Sequence, residues 1–304
     1  MARRLIALLI AALSPLWGNP SAPNATDVGS SSVASAEQLG YFSKDRALVH
    51  VRALARNIGI RVRATPNERR GARYIADEFE SLGYRTRIQK FSVDGGTSRN
   101  VIARWPGARR YPVLLGGHMD SVPEAPGAND NASGVAVLLE TARMAAGTSQ
   151  AEFLTFVAFG AEEYGEDGRH HVGSEVFVNR LGDRGRARLA GMVSVDMVAD
   201  GRPLIVGTAG IGPDALGRIL WRKIDKKEID VEYRTTCDCS DNGPFELAGI
   251  SGAFMWSGEE PDFHSPSDTV GNMEPKDLGR TGRALRALVA AVDIDLLRRL
   301  RRSR

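Results

Sequence analysis

One loop concentrates side chains that bind divalent metals. It reads Gly116-Gly-His118-Met-Asp120-Ser-Val-Pro-Glu-Ala-Pro-Gly127-Ala-Asn-Asp130-Asn-Ala-Ser-Gly134. An apolar run, Val113-Leu-Leu, precedes it, and Val135-Ala-Val-Leu-Leu follows. The stretch therefore spans from the end of a buried strand to the start of a helix. Ligands of open α/β sheets bind just beyond the carboxyl ends of strands. An imidazole and two carboxylates in such a place propose a metal site, provided other strands end in matching ligands.

They do. The apolar run at 152–159 leads to Glu162-Glu163, and the run at 191–195 leads straight into Asp196. The run at 250–256 is followed by His264, in Asp262-Phe-His-Ser-Pro-Ser-Asp268-Thr. Taken singly, each has a plain explanation. A loop aspartate such as Asp130 caps a helix, a loop histidine is simply exposed, and paired glutamates open a solvated helix. Taken together, four strand ends deliver carboxylate or imidazole into one crevice. So many like charges would repel without cations among them.

In that order and context, the residues resemble peptidase family M28, the co-catalytic zinc peptidases that include secreted bacterial aminopeptidases. The set is His118-x-Asp120, Gly127-x-Asn-Asp130-Asn-Ala-Ser-Gly, Glu162-Glu163, Asp196-Met and His264-Ser-Pro-Ser-Asp-Thr. The resemblance covers roughly residues 45–295. It implies two zinc ions, with manganese or cobalt as substitutes, bridged by Asp130. One ion would also take His118 and Asp196, the other Glu163 and His264. Asp120 would hold the far N–H of His118, and Glu162 would be the general base acting on a metal-bridging water. The implied activity is removal of N-terminal residues from peptides that carry a free amino end.

The elements that must position these groups alternate. Helical spacing over 43–57 and 70–82 is followed by strand-like runs at 85–91, 98–105 and 111–115, with a helix at 134–144. Further strands at 203–206 and 231–234, short helices, and a closing amphipathic pattern over 275–300 complete the order. This predicts an α/β fold, a single-domain three-layer αβα sandwich with a mixed, mostly parallel central sheet. Thr65-Pro-Asn-Glu reads as the cap of the second helix.

The ends of the chain are different in kind. Arg3-Arg4 before the apolar Leu5-Ile-Ala-Leu-Leu-Ile-Ala-Ala-Leu13, then Ser14-Pro and small residues, read as a signal peptide or uncleaved anchor over residues 1–25. Residues 26–42 read as a linker and 43–304 as the peptidase domain. The protein is therefore expected to be exported, with no stable membrane span once mature. A formal charge of +3 with no aromatic-interleaved basic patch argues against nucleic acid. Cys237 and Cys239 leave free thiols, a labile bridge and a structural bridge all open.

Several residues depart from the pattern or sit beside it. Where family members carry a tyrosine near the substrate carbonyl, Phe263 precedes His264, and the other loop reads Cys237-Asp-Cys-Ser240-Asp241-Asn242. Asn242 stands where a histidine is common. Tyr164 is a candidate donor, with packing as its plainer role. His50 is expected to be exposed, and His170 and His171 to lie near the cleft rim. Phe254, Met255 and Trp256 read as core, with Met255 and Trp256 close enough to the strand end to line a pocket. A single-zinc glutaminyl cyclase, or a carboxypeptidase or dipeptidase on the same fold, is the competing activity. A non-catalytic ectodomain would have lost ligands or base, and here all six stand. Oligomeric state is not legible.

Overall fold

The computed structural model describes residues 38–109, 112–258 and 260–304. Helix α1 (Lys44–Val51) is capped by Ser43 and runs on as a looser coil to Ile58. Its Ala47, Val51 and Leu54 are buried, the three-to-four residue spacing of an amphipathic face. Helix α2 (Pro66–Ser81) opens as the sequence predicts. The Thr65 hydroxyl accepts the Glu68 amide at 3.4 Å, and the Glu68 carboxylate accepts the Ala64 amide at 3.0 Å.

Eight strands form one sheet: β1 (Arg85–Val93), β2 (Gly96–Arg104), β3 (Val113–His118), β4 (Leu154–Phe159), β5 (Gly191–Val195), β6 (Leu204–Thr208), β7 (Val231–Thr235) and β8 (Gly252–Ser257). Their spatial order is β1-β2-β4-β3-β5-β8-β6-β7. The central four, β4, β3, β5 and β8, run parallel, as do β6 and β7. β2 joins β4, and β6 joins β8, antiparallel. The sheet is mixed and mostly parallel. β3, β4 and β5 are buried along their whole length, which is why they read as continuous apolar runs rather than alternating ones.

The remaining helices are α3 (Gly134–Ala145), α4 (Val172–Arg186), α5 (Ala215–Asp225), α6 (Gly243–Leu247), α7 (Pro275–Val289) and α8 (Ile294–Arg302). Alternate strand residues sort them into two layers. Leu115, Phe156 and Val193 share the larger core with α1, α2, α3, α5, α7 and α8. Leu114, Val157 and Met192 point the other way, into a smaller core with α4 and α6.

Two details differ from the sequence reading. The closing pattern is two helices, because the chain turns extended at Asp293. The Asp293 carboxylate accepts the Leu296 amide at 2.7 Å and starts α8 afresh, which lets Leu296, Leu297 and Leu300 fold back onto the core. The end of the expected linker also docks on the body: the Gly40 amide donates to the Met144 carbonyl at 3.0 Å. The expected signal peptide and most of that linker lie outside the described residues. Among the described residues no helix is long and apolar enough to cross a membrane.

The first turn of α3 meets β5 at a glycine. A Cβ on Gly134 would lie 2.0 Å from the Val195 carbonyl oxygen and 2.3 Å from Asn131 Oδ1. Neither β5 nor the loop can retreat without moving the site. Gly134→Ala is expected to destabilise the fold by about 3 kcal/mol or more, the upper range for overpacking, as read by urea denaturation.

Candidate metal centre

Parallel neighbours end at the same edge of a sheet, so β4, β3, β5 and β8 deliver their following residues to one place. His118 is the last residue of β3, and Asp196 follows directly on β5 beside it. Glu162 and Glu163 come just after β4, His264 from the loop after β8, and Asp130 from the loop between β3 and α3. Ala161, Met197 and His264 all adopt left-handed backbone, with φ of 55°, 49° and 51°. Such conformations are uncommon for residues other than glycine, and they gather where a backbone is bent to aim a side chain.

The five expected ligands converge. Asp130 divides its carboxylate: Oδ1 lies 3.0 Å from His118 Nε2, and Oδ2 lies 3.2 Å from His264 Nε2. Asp196 Oδ1 is 3.2 Å from His118 Nε2, and Glu163 Oε2 is 3.0 Å from His264 Nε2. Two donor groups result, His118 with Asp130 and Asp196, and His264 with Asp130 and Glu163. The ligand atoms within each lie inside 4.8 Å of one another. Glu162 stands beside them, Oε2 at 3.8 Å from His118 Nε2.

Asp120 stands beside the far nitrogen of His118 and takes a second part as well. Its carboxylate faces His118 Nδ1 at 3.7 Å, beyond a hydrogen bond, and that nitrogen has no partner. Its two oxygens instead accept the amides of Glu162 at 3.2 Å and Glu163 at 3.1 Å. Asp120 thus holds the main chain of the glutamate pair. Asp268 does the same for the loop of Asp130, accepting the Asn129 and Asp130 amides at 2.6 and 3.0 Å. Asn131 ties that loop to β5 by donating to the Val195 carbonyl at 3.0 Å.

Two supporting residues carried no signal in the sequence. Ser240 donates to Asp196 Oδ2 at 2.9 Å. Arg61 is wholly buried behind the site and donates to the carbonyls of Leu54, Gly59, Met119, Pro126 and Gly127. Burial lowers its guanidinium to about 10, with Asp120 and Asp268 opposing, so it stays charged at neutral pH. It is a buried cation set behind a nest of carboxylates, and only carbonyls brought from four chain segments reveal it.

The electrostatics state what the site lacks. Burial pushes the Glu163 carboxyl up to about 7, with the Asp130 charge adding. Burial likewise holds Glu162 well above the usual carboxylate range. Burial lowers the His264 imidazole, but hydrogen bonds to Asp130 and Glu163 outweigh it and push it up to about 10. His118 is also raised, because Asp196 and Glu162 overcome its burial. Carboxylates gathered this closely demand positive charge, as protons or as a cation.

A cavity of about 410 Å³ opens from this edge. Phe254 and Trp256, stacked at 4.6 Å, form one wall with Met197 and Phe263. Strand alternation selects Phe254 and Trp256 and turns Met255 into the core, a correction to the sequence pairing of Met255 with Trp256. Cys237 and Cys239 are bridged at the rim. Tyr164 is exposed rather than packed, its ring stacked on His170 at 4.4 Å. His50 takes no part, bonding the Tyr74 hydroxyl at 2.7 Å. Asn242 is buried and donates to Glu246 Oε1 at 2.8 Å. His171 is not at the rim at all: it is buried, Nε2 2.8 Å from Glu162 Oε1.

The model of peptidase family M28 matches residues 100–289, the span that carries every ligand named above. The chain belongs to peptidase family M28. It is 31% identical over 282 residues to leupeptin-inactivating enzyme 1 of Streptomyces exfoliatus, covering 86% of this chain and 59% of that one. The chain thus spans under two thirds of that relative's length. Its fold matches a zinc aminopeptidase from Bacillus subtilis with a TM-score of 0.77 at 19% identity, over 84% of this chain and 97% of that one. It also matches a glutaminyl cyclase of Bacteroides thetaiotaomicron, TM-score 0.72 at 20% identity, over 84% of this chain and all of that one. Within this M28 chain, the donor set suits zinc, which takes imidazole nitrogen and carboxylate oxygen together. Glu163 Oε1, buried with no hydrogen-bond partner, is the kind of atom a cation would satisfy.

Two outcomes follow from this geometry. Asp268→Ala frees the loop that carries Asp130, so zinc affinity should fall about 10- to 100-fold in a chelator-competition titration. The raised pKa values of His118 and His264 mean that zinc must displace their protons. Zinc uptake at pH 7 should therefore release protons to an indicator dye, and affinity should weaken about tenfold or more per unit as pH falls from 8 to 6.

Proposed function

We propose that this M28 chain is a two-zinc aminopeptidase, with His118, Asp130 and Asp196 holding one ion and Asp130, Glu163 and His264 the other. The observation that carries the reading is the divided carboxylate of Asp130, one oxygen toward each histidine. When bound, such ions supply a water acidic enough to ionise near neutral pH and a Lewis acid for the scissile carbonyl. Manganese and cobalt suit the same donors.

The remaining chemistry belongs to the chain. Glu162 is the general base. Its Oε2 faces the donor groups from 3.8 Å and is the atom placed to take the water proton, then pass it to the leaving amine nitrogen. Burial lifts its proton affinity well above the usual carboxylate range, which suits a group that must both accept and release. Asp120 keeps Glu162 and Glu163 on their separate tasks by holding both amides. The wall of Phe254, Trp256, Met197 and Phe263 receives an apolar side chain of the substrate. The substrate is a peptide with a free amino end, a reading supported by the name of the Bacillus subtilis zinc aminopeptidase that shares this fold. Export, which residues 1–25 would direct if they act as a signal peptide, completes the proposal.

Glu162→Gln should bind zinc as the parent does and lose about 10²- to 10⁴-fold in kcat. Chromogenic aminoacyl substrates should be cleaved, N-blocked peptides spared, and a chelator should abolish turnover. Cleavage of blocked peptides alone would overturn the aminopeptidase assignment. Full activity with a single zinc per chain would favour the glutaminyl cyclase chemistry of the cyclase fold neighbour instead.

A further inference from the structure

The carboxylate of Glu162 has two futures in this site. His118, Glu162 and Glu163 form a third group of ligand atoms within 4.8 Å of one another, so a small torsion would turn Glu162 from base into ligand. Glutamate has enough rotatable bonds to make that turn. Something must hold it off.

We infer that His171 is the positioning residue that keeps Glu162 a base. Its Nε2–H donates to Glu162 Oε1 at 2.8 Å, which directs Oε2 toward the reacting site and removes Oε1 from competition for metal. This rests on Glu162 being the base, as proposed above, and adds the group that makes it one.

His171 is itself firmly seated. It is buried, its backbone is left-handed at φ 54°, and its own amide donates to the Glu162 carbonyl at 2.8 Å. One residue therefore grips Glu162 through both main chain and side chain. The next residue repeats the tie, Val172 N–H to the Ala161 carbonyl at 2.9 Å. There α4 begins, jammed against the end of β4: a Cβ on Gly173 would lie 2.1 Å from the Gly160 carbonyl oxygen. The imidazole cannot drift.

Its surroundings keep it a neutral donor. Burial pushes the imidazole down to about 3, with His170 and His118 adding to the effect. His170 packs over the ring at 3.8 Å between centroids. Two acceptors compete for the Nε2 proton, Glu162 Oε1 at 2.8 Å and His170 Nδ1 at 3.0 Å. The carboxylate oxygen is the nearer of the two acceptors. Asp238 Oδ1 faces the far nitrogen at 3.7 Å, too long to bond.

The test compares His171→Leu, which has no donor, with His171→Gln, whose amide N–H reaches to a similar distance. His171→Leu should lower kcat by ~10- to 100-fold, with KM within ~3-fold of the parent and zinc affinity equal or tighter. His171→Gln should recover most of the loss. Zinc titration and thermal melting are read on all variants. Should the leucine variant fail to fold, His171→Asn, polar but too short, replaces it. Parental kcat in the donorless variant overturns the proposal, as does an equal loss in the glutamine variant. A rise in KM alone would make His171 a substrate contact. Glu162→Gln run alongside separates the two readings. If it stays active, the base assignment falls and His171 with it. If it is inactive while His171→Leu is not, the positioning role alone falls.

Discussion

Buried carboxylates that cannot reach water must meet positive charge, and much of this protein is arranged around that requirement. Asp120, Asp130, Glu162, Glu163 and Asp196 meet at one edge of the sheet, all nearly inaccessible to solvent. Two imidazoles lie between them, and one guanidinium lies behind. The division of labour is spatial. Arg61 offsets the charge while its hydrogen bonds go to carbonyls, so the carboxylate oxygens in front remain available to ligands. A direct ion pair with Asp130 would occupy a carboxylate oxygen that now faces His118 or His264. The long-range placement of this cation keeps the site both tolerable in the fold and free for metal.

A second layer decides what each carboxylate does. Asp120 and Asp268 play matching parts, each spreading one carboxylate over two consecutive amides. Each grips the main chain just where a metal-facing acid emerges. Side chains of the same type thus hold different places: Asp130, Glu163 and Asp196 face the imidazoles, while Asp120 and Asp268 hold main-chain amides. Composition alone would not separate these roles.

The residues that converge at this edge of the sheet were legible in the sequence because they follow strong strand signals. Parallel strands put such positions together whatever their separation in the chain. The layered fold was legible for the same reason: continuous apolar runs bounded by glycine mark strands covered on both faces. What escaped reading depends on distant contacts. Arg61 is one arginine among many until carbonyls from four segments surround it. His171 lies in a loop with no periodicity, and only its left-handed turn brings the ring back to Glu162. The two-residue spacing of His118 and Asp120 suggested an imidazole partner, and Asp120 does face Nδ1 at 3.7 Å, but its hold on the amides of the next loop carried no signal. The break before α8 hides in a pattern whose hydrophobic spacing persists across it, because Asp293 acts on its own backbone.

The order of strands has a bearing on how such a site comes into being. The ligands sit on β3, β4, β5 and β8 or just beyond, and β5 is flanked by β3 and β8. The stretch that supplies His264 follows almost the whole sheet in the chain. An unfolded or half-built chain holds these groups on long, open loops, where gathering them is entropically unfavourable. Metal capture would thereby be coupled to completion, since the donor set is assembled only after the final strand has inserted. A cation that bound the finished sheet and not its fragments would draw the folding equilibrium toward the closed form. The centre then acts as a latch, fastened last and reporting that the rest is shut.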